Sequence, residues 1–519
     1  MKPSLCISVR FIQPYPLFHG RGDGEEPEWP PSPLRAFQAL LNAACFRTRG
    51  KPLPPELRSA LNAIEAVRPF VVAPRATLST NGYRAYVPHN QADLVAAAWD
   101  RGNLDASIAL HRVEKDHRPH HIKTVGEELP TIHYVYPLDA TTADPAGLLR
   151  AIRPAVRSIH CLGWGIDQVV ADATLVDSTS DQLEGERWVP TPRGGERLRV
   201  PRNGSLEALS ARHGHFLSRL VSGNWRPVPP LAMMDQVRYR RDFDPIPRPN
   251  VVFKLIDDND DTITYPQSKL VHVAGMVKHL AIEAMQKNPP HDLRGRTPDE
   301  WVDSYVAGHQ TIENKDAGTP HTQLSYIPLQ SIGNPNTDPG VRRVMIIAPI
   351  GDDAWLEHLA RHLNGAILRP LPSTKLPPGT RLERIDDHRN DGVRNAYVRA
   401  SVTWASVTPV ILPGHDDRKP EKTRLLILKA LQHSGIEQPC TFEWSAFSRF
   451  PKMLPAHKYR KNPDDPSRKI PINYIRPDHL CDQTAVHLTL IFAKGLEVPG
   501  PVTIGAGRHC GFGAMAAVK

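Results

Sequence analysis

A glycine-rich stretch near the carboxyl terminus has the residue types of a phosphate-binding loop. Residues 505–513 read Gly-Ala-Gly-Arg-His-Cys-Gly-Phe-Gly. Glycines let backbone N–H groups approach a bound anion, and an arginine adds a permanent charge suited to phosphate. A Walker loop is excluded because no Lys-Ser/Thr pair follows. The alternative interpretation is a glycine-rich hairpin at a sheet edge. The predicted contacts are Gly505, Gly507, Arg508, His509, Gly511 and Gly513.

A basic segment precedes this loop. Residues 449–476 contain eight Lys or Arg residues and two acids, with Tyr459 and Tyr474 interleaved. Basic side chains for phosphates and aromatic rings for base stacking are typical of a surface that binds single-stranded nucleic acid. A solvated charged loop is the alternative. The predicted RNA contacts of this segment are Lys458, Arg460, Lys461, Arg468 and Lys469.

The composition favours a polyanionic partner and a reducing compartment. The 519 residues include 64 Lys and Arg against 55 Asp and Glu, which gives a net charge of +9. Six scattered cysteines make a disulfide framework and a CxxC zinc site improbable. No apolar run approaches the roughly 18 residues of a membrane span, and the start lacks a signal-peptide core. We therefore expect a soluble, cytoplasmic protein without a metal site or cofactor.

The patterns of apolar residues predict an α+β protein with tandem ferredoxin-like (RRM-like) domains. Residues 4–12 are typical of a strand, and Ser32 and Pro33 are placed to begin an amphipathic helix over 33–47. A Pro-rich linker occupies 241–249. After it the βαββαβ order of a ferredoxin-like unit is predicted, with strand 251–256, helix 266–287, strands 324–328 and 343–349, helix 352–364 and strand 366–369.

A second, less regular unit is predicted from residue 393 onward. Its elements are strand 396–404, a basic amphipathic helix over 421–434, and strand 486–493, which leads into the glycine-rich stretch.

Several motifs together resemble a known family. They are residues 29–35 (Trp-Pro-Pro-Ser-Pro-Leu-Arg), 404–409 (Trp-Ala-Ser-Val-Thr-Pro), 412–415 (Leu-Pro-Gly-His) and the glycine-rich 505–513. The chain resembles the fusion of the Cascade handle-binding subunit with the CRISPR repeat endoribonuclease of type I-U (I-G) systems, in the RAMP superfamily. The resemblance spans essentially the whole chain.

The resemblance implies a division of labour along the chain. It implies a RAMP domain over 1–240 that binds the 5′ handle of the crRNA, a linker at 241–249, and a repeat endoribonuclease over 250–519. The latter would hold a first ferredoxin-like unit, 250–372, and a second, 393–519. In the amino-terminal domain, Arg10, Arg35 and the arginines of 187–202 are reasonable phosphate contacts, and the sequence does not choose among them.

The implied activity is metal-independent cleavage of CRISPR repeat RNA by attack of a ribose 2′-OH. The implied partners are repeat RNA, crRNA and the backbone and large subunits of Cascade, without a membrane. The alternative is an RNA-binding structural subunit that does not cleave, and residues 321–323 (His-Thr-Gln), where the family has His-x-His, favour it. A metal-dependent nuclease is disfavoured because the acidic residues do not cluster.

The resemblance also ranks the histidines. Histidine suits both proton-transfer roles because its pKa lies near neutrality. The family's catalytic histidine tends to lie on the first helix of the first ferredoxin-like unit. That helix carries His272 and His279, and Tyr265 precedes it. His309 and His321 flank a polar loop and are the next candidates. The predicted catalytic residues are His272, Tyr265, His309 and His321.

Overall fold

The chain divides into two compact units, Met1–Phe243 and Asp244–Lys519, and the division falls inside the predicted linker. The computed structural model describes residues 3–22, 26–49, 51–88, 92–107, 112–124, 128–138, 144–177, 183–221, 224–309, 322–332, 336, 338–370, 376–385, 391–456, 459–461, 469–471, 474–493 and 496–518. Each unit mixes helices with antiparallel sheets, so the chain is an α+β protein. None of the helices in these ranges is long and apolar enough to cross a membrane.

Unit 1 contains fourteen strands and five helices among its described residues. The strands are β1 (Pro3–Phe11), β2 (Leu17–Phe18), β3 (Phe70–Ala73), β4 (Ala76–Leu78), β5 (Tyr83–Pro88), β6 (Arg112–His117), β7 (His120–Ile122), β8 (Thr131–Pro137), β9 (Val169–Asp177), β10 (Glu186–Thr191), β11 (Glu196–Val200), β12 (Leu220–Val221), β13 (Asn224–Trp225) and β14 (Asp235–Arg241). The helices are α1 (Pro33–Arg47), α2 (Pro55–Glu65), α3 (Ala92–Asp100), α4 (Pro145–Val156) and α5 (Ser205–Leu217).

The main sheet of unit 1 has seven antiparallel strands in the order β11-β14-β10-β3-β8-β1-β9. Alternate residues of β1, such as Leu5 and Val9, are buried in the core with α1 and α4, whereas Ser8 and Arg10 lie on the opposite face. Helix α1 has the bounds that its sequence predicts. Ser32 occupies the N-cap position with Pro33 at the first turn, as predicted, but its side chain makes no capping hydrogen bond. Its backbone N–H instead donates to Glu28 Oε1 at 2.8 Å.

Unit 2 contains eleven strands and five α-helices among its described residues. The strands are β15 (Asn250–Ile256), β16 (Ser325–Gln330), β17 (Val341–Ile347), β18 (Arg381–Arg384), β19 (Thr403–Ser406), β20 (Val410–Ile411), β21 (Cys440–Ser445), β22 (Tyr459–Lys461), β23 (Lys469–Pro471), β24 (Ala485–Phe492) and β25 (Met515–Ala517). The helices are α6 (Leu270–Lys287), α7 (Pro298–Trp301), α8 (Asp353–Leu363), α9 (Gly392–Val398) and α10 (Pro420–His433), with a π-helix over Val302–Val306 and 3-10 turns at Gln267–Lys269 and Asp478–Leu480.

The first sheet of unit 2 has four strands in the order β16-β17-β15-β18, with α6 and α8 in the same core. The predicted closing strand, 366–369, does not form as a strand of the sheet, whose fourth strand is β18. The segment pairs with β18 only at an isolated bridge between Ile367 and Arg381, with the Leu368 N–H donating to the Thr380 carbonyl and the Leu382 N–H to the Ala366 carbonyl. The short apolar run after Gly365 has the composition of a strand, but in the structure the chain leads from it to the true edge strand.

The second sheet of unit 2 has the order β20-β24-β19-β25, with β21 also paired to β24. The predicted strand 396–404 is wrong over most of its length, because its first three residues belong to α9, Ser401 forms only an isolated bridge to Val498, and β19 begins at Thr403. Helix α10 connects β20 to β21. In the described part of the segment between β24 and β25, the chain forms the glycine-rich hairpin and no helix.

Candidate nucleic-acid interface and acid–base groups

Tyr265 and His272 lie next to each other at the start of α6. The backbone of Tyr265 exchanges two hydrogen bonds of 2.8 Å with Val341, which fixes the residue beside the first residue of β17. The 3-10 turn Gln267–Lys269 then leads into the helix. This arrangement places Tyr265 Oη 3.4 Å from His272 Nδ1. The sequence-predicted pair is therefore brought together.

The surroundings of this pair favour a neutral imidazole beside a protonated phenol. Burial lowers the pKa of His272, and the nearby Lys269 lowers it further. Burial also raises the pKa of Tyr265. A neutral imidazole can accept a proton, and a phenol can donate a hydrogen bond. The segment around Tyr265 lines an open cavity of about 500 Å³, whose walls are Thr264, Pro266, Gln267, Ser268, Asp338, Gly340 and Leu454.

His309 forms a second pair, with Asp303. The π-helix ends in a reversal at Gly308, whose φ of +72° is the left-handed conformation that glycine adopts at helix ends. The reversal lets the His309 N–H donate to the Asp303 carbonyl at 2.9 Å. It also places His309 Nδ1 2.6 Å from Asp303 Oδ1. Both side chains are more than 60% exposed, at 68% and 63%, so this imidazole can reach a bound ligand.

The glycine-rich stretch is a tight hairpin, closed by a bridge between Thr503 and Ala514. Several of its amides are already used inside the protein, so they do not form the exposed concavity that the sequence suggested. The amides in question are Ala506 to the Ile411 carbonyl, Arg508 to Gly505, Cys510 to Gly507, Phe512 to Gly507 and Gly513 to Pro409.

The hairpin glycines allow close packing against α6 and the first sheet. Gly511 has φ +98°, and a Cβ there would lie 2.6 Å from Leu270 Cδ1 and 2.9 Å from Pro328 Cδ. Gly505 and Gly513 also have positive φ and are buried. A larger side chain would separate the hairpin from α6. The glycines thus position the basic residues between them.

His509 lies at the tip of this hairpin, and three cations are close enough to lower its pKa. Its Nδ1 lies 2.8 Å from Ser325 Oγ, and its backbone carbonyl accepts a hydrogen bond of 3.0 Å from the Tyr326 N–H. Burial lowers the pKa of His509 well below its usual value, and Arg508, Arg248 and Lys278 lower it further. His509 is consequently neutral, and the surrounding charge is positive.

Lys278 connects this cluster to the His309 pair. It lies on α6 and is half-buried. Burial lowers the pKa of Lys278, and the nearby Asp303 carboxylate and Cys510 oppose that shift. The hairpin and the carboxylate of the Asp303–His309 pair are thus both near one ammonium group. We call Arg248, Lys278, Arg508 and His509 the basic cluster.

The remaining predicted residues fall into three groups. Arg35 donates to Glu28 Oε1 at 3.0 Å and to the Arg21 carbonyl at 2.9 Å, so its guanidinium is held inside unit 1. Arg460 and Lys461 lie in β22 and Lys469 in β23, which pair as a two-stranded ribbon. Three residues lie outside the described residues: His321, Lys458 and Arg468.

Sequence reasoning missed several members of the basic cluster and its surroundings. Arg248 lies in the segment read as a linker, yet it is 8% exposed and its guanidinium is 3.5 Å from Ser325 Oγ. Asp303 and Lys278 belong to different helical segments. The sequence did contain one local signal for the Asp303–His309 pair. A glycine after a helix, here Gly308, is typical of a chain reversal, and such a reversal brings His309 back towards Asp303. Within the described ranges, no three His, Cys, Asp or Glu side chains are placed to hold a metal ion.

Comparisons with known proteins place the chain among CRISPR-associated proteins. The model of the GSU0054 family of CRISPR-associated proteins matches residues 15–517, and the chain belongs to this family. No curated protein matches it.

Two solved structures are similar at a low level. A CRISPR protein from Archaeoglobus fulgidus is 14% identical, with a TM-score of 0.21, over 38% of this chain and 74% of that one. A RAMP protein described as binding different RNA substrates is 10% identical, with a TM-score of 0.26, over 52% of this chain and 99% of that one. Likenesses this low support no inference about fold or function.

Proposed function

We propose that this CRISPR-associated protein binds CRISPR repeat RNA, cleaves it without a metal ion, and remains bound to the crRNA in a type I effector complex. The family membership supports a role in CRISPR defence. The observation that carries the RNA assignment is the basic cluster, of which Lys278 and Arg508 are partly exposed, while Arg248 is buried beside Ser325. Neighbouring positive groups with exposed surface are suited to a phosphate and to the charge that develops on it during cleavage.

The proposed reaction needs a base, an acid and positive charge. A base removes the proton of a ribose 2′-OH, and the 2′ oxygen bonds to the adjacent phosphorus. The bond from phosphorus to the 5′ oxygen breaks, and an acid gives that oxygen a proton. The products are a 2′,3′-cyclic phosphate and a 5′-OH. The basic cluster would stabilise the extra negative charge of the pentavalent phosphorus.

Two histidines compete for the proton-transfer roles. His309 is exposed, and the Asp303 carboxylate orients its ring, as an acid or base requires. The Asp303 carboxylate also lies near Lys278 of the basic cluster. Among the described residues, the partner of the His272 side chain is the Tyr265 phenol at 3.4 Å. We therefore rank His309 first, and the Tyr265–His272 pair stays the second candidate.

We propose one finer assignment for each unit. The strand order of the first sheet of unit 2 and its βαββαβ sequence support a ferredoxin-like unit. In unit 1, β1, α1, β3, β8, α4 and β9 follow the same order along the chain, and their strands lie side by side as β9-β1-β8-β3. We propose that unit 1 holds the crRNA handle and unit 2 the repeat, as in a type I-U fusion of the two subunits.

The test is cleavage of the cognate repeat RNA in EDTA by the full-length protein, with RNA binding measured alongside. We expect His309→Ala to bind normally and to lose about 100-fold or more in cleavage rate, the size of a lost proton transfer. His279→Ala is the matched control, since His279 is exposed on α6 and pairs with Glu283 at 3.2 Å.

Each other outcome changes the proposal. A loss in His272→Ala but not in His309→Ala moves the proton transfer to the Tyr265 pair. Cleavage that stops in EDTA rules out the metal-independent mechanism. If the wild-type protein binds repeat RNA but does not cut it, the chain is a structural RNA-binding subunit. The replacement of the family's His-x-His by His-Thr-Gln at 321–323 favours that alternative.

A further inference from the structure

Among the described residues of unit 1, no helix covers the second face of the main sheet. Ser8, His133, Val72 and Arg187 lie directly opposite one another across β1, β8, β3 and β10, so they form one row on a single face. This row is the floor of an open groove of about 1040 Å³. None of the residues assigned to cleavage lines it.

The floor offers neutral hydrogen-bonding groups. His133 Nδ1 lies 2.8 Å from Ser8 Oγ. Burial lowers the pKa of His133 to about 4, and Arg10 contributes to that shift. The imidazole is therefore neutral at neutral pH, and because its Nδ1 is hydrogen-bonded to Ser8, its Nε2 is the nitrogen that can face a ligand. Neutral groups of this kind can recognise the edge of a nucleobase, which also carries donors and acceptors.

The groove also contains a flat platform. The Arg187 guanidinium lies over the ring of Phe70, 4.0 Å from its centroid. Phe243, another lining residue, lies under the Arg241 guanidinium at 4.8 Å. Bases that are not paired stack on aromatic rings and on arginine planes. The Arg187–Phe70 stack lines the groove, and Phe243 adds a second aromatic ring to its wall, so the groove is suited to a planar ligand.

Positive charge stands beside this platform. Arg10 is exposed, and its Nε donates to Thr131 Oγ1 at 3.3 Å, which orients the guanidinium. The lining residues from β1, β3 and β8 include no carboxylate. Glu186 of β10 is neutralised by Arg75 at 2.8 Å and Arg241 at 3.3 Å. The other lining carboxylates, Glu128, Glu184 and Asp242, come from segments around the rim.

We propose that this open sheet face binds an unpaired nucleotide of single-stranded RNA, with its base on the Arg187–Phe70 stack, its base edge at Ser8 and His133, and its phosphate at Arg10. The inference rests on the proposed RNA-binding function and deepens it. It assigns to unit 1 a site formed by residues other than the acid–base groups of unit 2, in which the stacking contribution depends little on sequence.

The test uses the full-length protein and a fluorescent single-stranded RNA carrying the repeat, with binding measured by fluorescence anisotropy. Arg187→Lys keeps the charge but removes the guanidinium plane, and Arg187→Ala removes both. We expect each to weaken binding at least about fivefold, the low end for a lost base stack. Arg10→Ala should weaken binding and make it less sensitive to salt, as the loss of one phosphate contact requires.

Arg58→Ala is the matched control, because Arg58 is an exposed arginine of unit 1 that pairs with Glu207 at 2.8 Å outside the groove. It should bind RNA within about twofold of wild type. Thermal unfolding of each variant excludes a folding defect. Arg10→Ala is the variant least expected to cause a folding defect, since Arg10 is exposed and its side chain makes a single hydrogen bond among the described residues.

The outcomes separate this inference from the function it rests on. Wild-type binding with unchanged affinity in Arg187→Lys, Arg187→Ala and Arg10→Ala would overturn the groove and leave the proposed function intact. A wild-type protein that binds no RNA would overturn both. Weakened binding in the three variants, with cleavage of saturating RNA retained, supports a binding site that is distinct from the cleavage site.

Discussion

Each unit contains an aspartate–histidine pair, and the Nδ1–Oδ1 distance is nearly the same in both. The two pairs differ mainly in their exposure to solvent. In unit 1, His19 Nδ1 lies 2.5 Å from Asp167 Oδ1, and their side chains are 4% and 0% exposed. In unit 2, His309 Nδ1 lies 2.6 Å from Asp303 Oδ1, and both side chains are largely exposed. A carboxylate that orients an imidazole is therefore not by itself evidence of a reactive site.

The buried pair is part of the structural core of unit 1. The second oxygen of Asp167 accepts the backbone N–H of His19 at 3.1 Å, so one carboxylate joins two loops. Aromatic rings close the site. The Tyr83 ring lies 5.8 Å from that of His19, and Trp164 lies 4.3 Å from His117. No RNA phosphate can reach an aspartate with no exposed surface.

The exposed pair has the opposite character. Water and salt screen its charges, so it adds little to stability. Its ring is oriented by the carboxylate and is open to a ligand, which are the properties that proton transfer requires. Exposure thus separates a stabilising pair from a candidate catalytic one. Three aspartates of decreasing burial test this idea.

The largest effect is expected at Asp167. Asp167→Ala removes the acceptor from two buried donors of His19, and leaving such groups unsatisfied should lower the free energy of unfolding of unit 1 by about 3 kcal/mol. Hydrogen exchange in increasing urea, followed by mass spectrometry of unit 1 peptides, measures this change. Asp167→Asn keeps one acceptor and should lose about half as much. A change below about 0.5 kcal/mol in Asp167→Ala would mean that the buried pair is not a structural element.

A smaller effect is expected at Asp172, which is 39% exposed and accepts paired hydrogen bonds from Arg153 and Arg157. These arginines hold the pKa of Asp172 well below its usual value. Solvent screening limits the contribution, so Asp172→Asn should lower the free energy of unfolding by about 1 kcal/mol at pH 7.

The pH dependence of this contribution has a definite sign. The folded-state pKa of Asp172 is depressed, so the stabilisation is fully present above the unfolded value of about 3.9 and is lost as the pH falls toward the folded value. Wild type and Asp172→Asn should therefore converge in stability below pH 4. Parallel stability curves down to pH 2 would contradict the assignment of this carboxylate.

Local sequence patterns predicted the elements of this fold better than its sites. The apolar stripe of α6 and the bounds of α1 follow from spacing within one helix, which the sequence displays directly. Strand 366–369 failed because short apolar runs do not reveal their pairing partner. His19 and Asp167 are 148 residues apart, and no local pattern connects them.

The candidate site was predictable only in part, for the same reason. Tyr265 and His272 are close in sequence, and the resemblance pointed to them together. Arg248, Lys278 and Arg508 meet only because the hairpin glycines let the last strands pack on α6. Asp303 was within reach of sequence reasoning, since Gly308 marks the chain reversal that brings His309 back to it.

The smallest effect on stability is expected at Asp303, and it is the most informative. Because Asp303 is 63% exposed, Asp303→Asn should leave the free energy of unfolding of unit 2 within about 0.5 kcal/mol of wild type. The same substitution should slow RNA cleavage at unchanged RNA affinity, because the amide no longer carries the charge that holds the His309 ring as a proton donor or acceptor. Glu283→Gln is the control, since Glu283 pairs with His279 in the same unit at 3.2 Å and should leave cleavage unchanged. If Asp303→Asn cleaves as fast as wild type, exposure does not distinguish the two pairs, and the proton transfer must be sought at Tyr265 and His272.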